Sequence, residues 1–163
     1  MDLSLLQTPK TDRYEQMYTL LGYIQGLDRL RDEWSEVLDD LHHTLYAKGK
    51  QDYLESLRGF EEYLEQNETL AKQWEEIGER LFVFFLYTYF CGAVYDDWIY
   101  SKMALAAESV RFIRELYLAV WVQNGVLTME DYVKAAYRYA REIEHSDQNL
   151  NALEEIFMKK FPC

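Results

Sequence analysis

The sequence predicts an all-α fold: one domain, residues 1–163, built as a bundle of about six to seven helices around a buried central apolar helix. Three observations predict it. Prolines occur only at Pro9 and Pro162, so nothing between them forbids a helix. Apolar residues recur three and four apart along almost the whole chain. Between Leu81 and Leu86 the run Leu-Phe-Val-Phe-Phe-Leu is apolar on every side, and a helix apolar all round belongs inside. A hydrophobic content of 49% and an aromatic content of 16% supply a core, and 163 residues are enough to bury about two-thirds of the unfolded surface.

The elements follow in order. Leu3, Leu5 and Leu6 suggest a short leading helix before Pro9. Thr11 suits the cap of a helix carrying Met17, Leu20, Leu21, Ile24 and Leu27. Gly22 and Gly26 lie four apart on it, each costing about 1 kcal/mol against alanine, which predicts close approach by another backbone. Trp34, Val37, Leu38, Leu41 and Leu45 repeat at helical spacing up to Gly49, with a break near Asp28–Asp32 left open. Tyr53, Leu54, Leu57, Phe60 and Leu64 form the next helix. The one after it begins half polar (Leu70, Trp74, Ile77) and becomes the apolar rod at Leu81.

From Ser101 to Gln123 runs a long, largely apolar helix interrupted by Glu108, Arg111, Arg114 and Glu115, with Arg111 and Glu115 spaced to pair. Asn124-Gly125 marks its C-cap. Thr128 with Asp131 three later is a variant capping box opening another helix. Its expected core stripe is Met129, Val133, Ala136, Ala140 and Ile143. Ser146 or Asp147 then starts a final helix with Leu150, Leu153, Ile156, Phe157 and Phe161.

Charge narrows the functional classes. The net charge is −12, and residues 1–80 hold 18 of the 29 acidic side chains against 9 of the 17 basic ones. Such a chain repels phosphate backbones, which argues against nucleic acid and toward a basic or lysine-bearing partner. The uncharged run Leu81–Tyr95 falls short of the roughly 20 residues a membrane span needs. With an acidic N-terminus and no signal-peptide pattern, the expected location is the cytoplasm. Cys91 and Cys163 form neither a disulfide framework nor a metal-ligand spacing. No glycine-rich phosphate loop is present.

The densest chemistry is Arg141–Asn149, read as REIEHSDQN. Arg138, Glu142 and His145 fall within about 60° of one another on a helix, with Arg141 at the border. The bland account is a solvated helix end with internal ion pairs, and composition favours it. Glu142-x-x-His145 also matches the spacing used by helical-bundle metal sites, echoed by Asp39-x-x-His42 and Asp40-x-x-His43, with Glu79, Glu108 and Glu115 as further carboxylates. Such spacings arise often by chance in acidic helices, so no metal site is assigned.

A resemblance shifts the balance. Leu86-Tyr87-Thr88-Tyr89-Phe90 with Ala93-Val94-Tyr95-Asp96, Ile113-Arg114-Glu115-Leu116 with Trp121, Asn124-Gly125 to Asp131, and above all Tyr139 to Ser146 with Asn149 resemble the C-terminal helical part of the flagellin lysine-N-methylases, the FliB-type proteins. The resemblance runs from about Leu5 onward and is clearest from Leu81 to Leu153. It implies a bacterial protein taking part in methyl transfer to lysines of flagellin or another surface protein, with S-adenosylmethionine as donor. Family members begin with a cysteine-rich segment suited to an iron–sulfur or other metal centre, which this sequence lacks; it is therefore expected to be a C-terminal fragment, inactive alone and free of stoichiometric metal.

Residue type then assigns the candidates. Glu142 and His145 are the expected catalytic pair, a carboxylate to orient the lysine ammonium and a histidine to help remove its proton, since only the neutral amine attacks. Arg114, Glu115, Arg141, Glu144 and Asn149 are the expected substrate-binding residues. Arg114 and Glu115, charges stranded in an apolar helix, are the expected partners of the Arg141–His145 stretch. The rival readings are a non-catalytic acidic interaction module and a carboxylate–histidine metal bundle.

Overall fold

The computed structural model describes residues 10–96 and 99–160, all but the loops helical, with no strand among them. The order is α1 (Lys10–Gln25), α2 (Asp32–Leu41) continued by a π-helical turn (His42–Tyr46), α3 (Lys50–Glu65), α4 (Glu68–Asp96), α5 (Ile99–Asn124), α6 (Met129–Ile143) and α7 (Asp147–Lys160). This is the all-α bundle that periodicity predicts. The expected leading helix at Leu3–Leu6 lies outside the described residues.

Local chemistry accounts for the boundaries. α1 ends where the Gly26 N–H turns back to the Tyr23 carbonyl, and a loop of non-helical backbone runs to Arg31. The break that periodicity left open is therefore real. The Ala47 N–H reaches the His42 carbonyl five residues back at 3.0 Å, and this wider turn brings both Leu45 and Tyr46 to the interior. Gly49 then sits at φ +91°, which a side chain would strain. Asn67 Oδ1 accepts the N–H of Thr69 at 3.0 Å and so caps α4. Gly125, at φ +75°, donates to the Trp121 carbonyl and closes α5. Thr128 and Asp131 form the reciprocal capping box of α6.

The centre of the bundle is α5, not the helix carrying Leu81–Leu86. α5 packs against every other helix, and its buried residues follow one another almost without interruption from Leu105 to Ala119. On α4, Phe85 and Tyr89 point inward, and Phe82 and Leu86 are half-buried. Val83 at 62% and Tyr87 at 78% face solvent, as does Phe84. The absence of charge in α4 misled because charge alone does not keep a helix outside. α5 carries Lys102 and Glu115 inside by pairing each of them: Lys102 with Glu154 at 2.6 Å, Glu115 with Arg13.

Close backbone approach also occurs elsewhere than expected. A Cβ on Gly22 would meet nothing, and on Gly26 only its own helix. Gly59 and Gly78 are the packing glycines: a Cβ at Gly59 would press on Trp121 at 3.3 Å, and at Gly78 it would collide with the Arg114 guanidinium. The α6 face is likewise rotated from expectation. Tyr132, Ala135, Tyr139, Glu142 and Ile143 are buried, while Met129 and Val133 are exposed and Ala136 and Ala140 half-buried. Tyr139 explains the rotation. Its ring lies among Trp34, Phe85 and Phe112, and its hydroxyl donates to Ser109 Oγ at 2.9 Å. A large aromatic side chain with a satisfied hydroxyl gains more from the core than a valine and a methionine on the opposite face.

Candidate functional site in the seam between α2 and α6

Turning Tyr139 inward carries Glu142, three residues later, into the same buried face. Glu142 is 1% exposed. Its Oε2 accepts the Leu30 N–H from the α1–α2 loop at 3.1 Å, and its Oε1 has no hydrogen-bond partner. A buried carboxylate with one unmatched oxygen is costly, by several kcal/mol, unless a cation or donor reaches it. Glu142 lines a narrow crevice with Glu33, Trp34 and Val37 of α2 and Arg138 and Arg141 of α6. The Arg141 Nη2 reaches Glu33 at 3.4 Å and its guanidinium lies 5.4 Å from the Tyr137 ring centre, while its buried Nε is unmatched.

Val37 and Arg138 also line an adjoining cavity of about 230 Å³ between α2, α5 and α6. Leu41, Leu116, Ala119, Val120 and Ala135 supply its apolar wall, and Asp40, Asp131, Lys134 and Gln123 its polar rim. Asp131 is engaged in the Thr128 cap. The seam is thus an apolar-walled cavity with charges of both signs, beside a tighter crevice that holds a buried carboxylate.

Asn149 holds the corner behind it. Its Nδ2 donates to the Asp28 carbonyl at 2.8 Å and the Glu142 carbonyl at 3.0 Å, tying the α1–α2 loop to the α6–α7 turn. Its backbone N–H is capped by Ser146 Oγ. Asn149 therefore fixes the loop whose Leu30 N–H binds Glu142.

The other expected residues are distributed differently. Glu144 accepts a hydrogen bond from the Tyr89 hydroxyl on α4. Burial raises its carboxyl above the ordinary range, against the pull of Tyr89 and His145. The Tyr89 hydroxyl is in turn pushed up by its own burial and by its neighbours Tyr139 and Glu144. His145 is exposed at the end of α6, so Glu142 and His145 do not share a face. Among the described residues, no group of three or more His, Cys, Asp or Glu side chains is placed to hold a metal.

Arg114 and Glu115 do not meet the Arg141–Asn149 stretch. Glu115 is 0% exposed on the side of α5 facing α1 and α3, where its oxygens accept from Arg13, Tyr46 and Tyr53. Arg114 lies 4.8 Å over the Trp74 ring and 3.8 Å from Glu75 of α4, its guanidinium made less basic by burial, with Glu75 opposing. Arg111 pairs with Glu108 at 3.0 Å rather than with Glu115. The actual partners of Arg141, Glu142 and Glu144 are Glu33, Leu30 and Tyr89. Sequence reasoning missed Trp34, Val37, Lys134 and Asp40 as parts of the seam. Only the four-residue spacing of Lys134, Arg138 and Glu142 hinted at it.

No helix among the described residues is long and apolar enough to cross a membrane. No curated protein and no solved structure matches the chain. One family model does, described as the FliB lysine N-methylase C-terminal domain, and it matches residues 1–161. A match over nearly the whole length, on a chain whose helices bury a carboxylate beside a cleft, identifies the family: the chain belongs to the FliB lysine N-methylase C-terminal domain family.

Proposed function

We propose that this chain serves a protein lysine N-methylase that transfers methyl groups from S-adenosylmethionine to lysines of flagellin or another surface protein, and that its α2–α6 seam shapes part of the substrate site. The family supports the reaction class. The observation that carries the role of the seam is Glu142: buried, anchored by Leu30, with one carboxylate oxygen lacking a donor at the edge of a cleft.

Methyl transfer to lysine requires the amine to arrive oriented and to lose a proton before it attacks. Glu142 suits the first task, because a buried carboxylate oxygen without a partner binds an amino or ammonium group strongly. His145 suits the second only through a bridging water, because it is exposed just past the end of the same helix and does not share the face of Glu142. Glu144 and Tyr89 brace that helix end against α4, and Asn149 braces the loop that holds Glu142. S-adenosylmethionine supplies the methyl group when bound. An iron–sulfur or other metal centre does not fit the described residues, which bring no ligand set together, so no step passes through one. The cytoplasm is the compartment where such an enzyme meets unexported flagellin.

Glu142→Gln and His145→Ala, made in the methylase that carries this domain, are expected to lower flagellin lysine methylation about tenfold or more, read by mass spectrometry. Melting temperatures of the variants should stay close to that of the parent. Equal methylation at equal stability would reduce the stretch to a solvated helix end.

A further inference from the structure

The helix that the sequence makes apolar all round, α4, keeps only one side inside the bundle. Phe85 and Tyr89 point inward. On the other side stand Val83, Phe84, Tyr87 and Phe90, between 41% and 78% exposed. At 100° per residue these four fall within an arc of about 120° opposite Phe85, so they form one continuous face. The face carries no charge: no Asp, Glu, Lys or Arg occurs between Leu81 and Tyr95. The Thr88 hydroxyl at its margin is engaged by the Phe84 carbonyl at 2.9 Å. Ile99 and Tyr100, exposed at the start of α5, extend the apolar surface at the same end of the α4–α5 hairpin. Single exposed apolar residues are ordinary, but a continuous patch of them marks a docking surface.

Area and charge select the partner. With about 150–250 Å² for a whole aromatic side chain, the α4 face exposes about 500 Å². Ile99 and Tyr100 bring the hairpin to about 800 Å², which is what each partner contributes to an interface of standard size. A basic or lysine-bearing partner is drawn to the acidic surfaces of this −12 chain, and this face offers it no carboxylate. The same net charge makes two copies repel wherever their charged surfaces meet, and a neutral face escapes that penalty. A twofold axis near Tyr87 sets α4 antiparallel to its counterpart, neutral face on neutral face. The charged half of each α4, from Glu68 to Arg80, then points to opposite ends of the contact.

We propose that this outer face of α4, with the apolar end of the α4–α5 hairpin, is the contact between two copies of the chain in a twofold dimer. Phe85 and Tyr89, on the other side of α4, meet Tyr139 and Glu144 of α6, so the contact leaves the α2–α6 seam open in both copies. Repulsion between two such acidic chains opposes the dimer and puts its formation in the micromolar range: monomer at about 1 µM, dimer at about 100 µM.

Sedimentation equilibrium of the whole chain over that range tests it, with an expected mass of twice 19.6 kDa at the upper end. Phe84→Glu and Tyr87→Glu should each weaken the dimer about tenfold or more. Their helical content at about 1 µM should equal that of the parent, because both side chains are largely exposed. Val133→Glu, on the exposed face of α6, adds the same charge elsewhere and should leave the dimer intact. Raising salt from about 50 to 500 mM should tighten the dimer by screening the repulsion between copies. A chain that stays monomeric at about 100 µM would overturn the proposal. So would a dimer that Tyr87→Glu does not weaken, that Val133→Glu weakens equally, or that salt disperses. Cosedimentation of a monomeric chain with neutral phosphatidylcholine vesicles, lost in Tyr87→Glu, would also overturn it and assign the face to a lipid surface.

Discussion

Arg13 and Glu115 stand 102 positions apart, yet Nε and Nη2 of the Arg13 guanidinium both donate to Glu115 Oε1, at 3.0 and 2.8 Å. Tyr53 adds a third bond to the same oxygen at 2.9 Å, and Tyr46 bonds Oε2 at 2.8 Å. One buried carboxylate thus joins α1, the π-helical turn, α3 and α5. Glu115→Ala would strip the partners from a half-buried guanidinium and two buried hydroxyls at once. It should cost about 3–5 kcal/mol in denaturant unfolding. Glu115→Gln, which keeps the shape but loses the charge, should cost less. A loss below 1 kcal/mol for the alanine variant would mean that the network contributes nothing to stability.

Burial along α4 can be tested residue against residue. Phe85 is 1% exposed and stacks on Tyr89; Tyr87, two positions on, is 78% exposed. Phe85→Ala should destabilise by about 3–5 kcal/mol through lost burial and a residual cavity. Tyr87→Ala should stay within about 0.5 kcal/mol, as exposed substitutions do. Similar costs for the two would place α4 at the centre of the bundle after all, as its composition suggests.

Glu144 imposes a pH dependence with a definite sign. Burial raises its folded-state pKa above the ordinary 4.5. Between those two values the folded chain binds more proton than the unfolded one, so this carboxyl favours folding when protonated. Its contribution is fully present below the unfolded pKa and is lost as pH rises through the folded pKa. Glu144→Gln mimics the protonated form. The stability difference between this variant and the wild type should therefore change in the variant's favour as pH is raised from about 4 to 7, in urea titrations at each pH. A difference that is flat over that range would show that Tyr89 and His145 fully offset the burial.

What was legible in the sequence is what local chemistry decides. The all-α class, the long α5 with its glycine stop, the Thr128–Asp131 cap and the polar cluster at Arg141–Asn149 rest on spacings of three and four residues and on backbone groups nearby in the chain. The burial of Glu142 was not legible, because it depends on Tyr139 finding Trp34, Phe85 and Phe112 on three other helices. The partner of Glu115 was not legible either. Arg111 lies at the right helical spacing, but Arg13, brought in by the packing of α1, takes its place.

By itself, then, the sequence determined which segments are helical and where they stop, since a helix is closed by contacts within a few residues. It also carried its family membership in the order of its side chains. Only the tertiary structure decided that α5 rather than α4 is central, that α6 turns its valine outward and its glutamate inward, and that Val37 and Arg138 join the cavity at Lys134 to the crevice at Glu142. Those outcomes depend on which of several apolar faces gains most against all its neighbours together. That is a property of the whole packed bundle, and no single segment contains it.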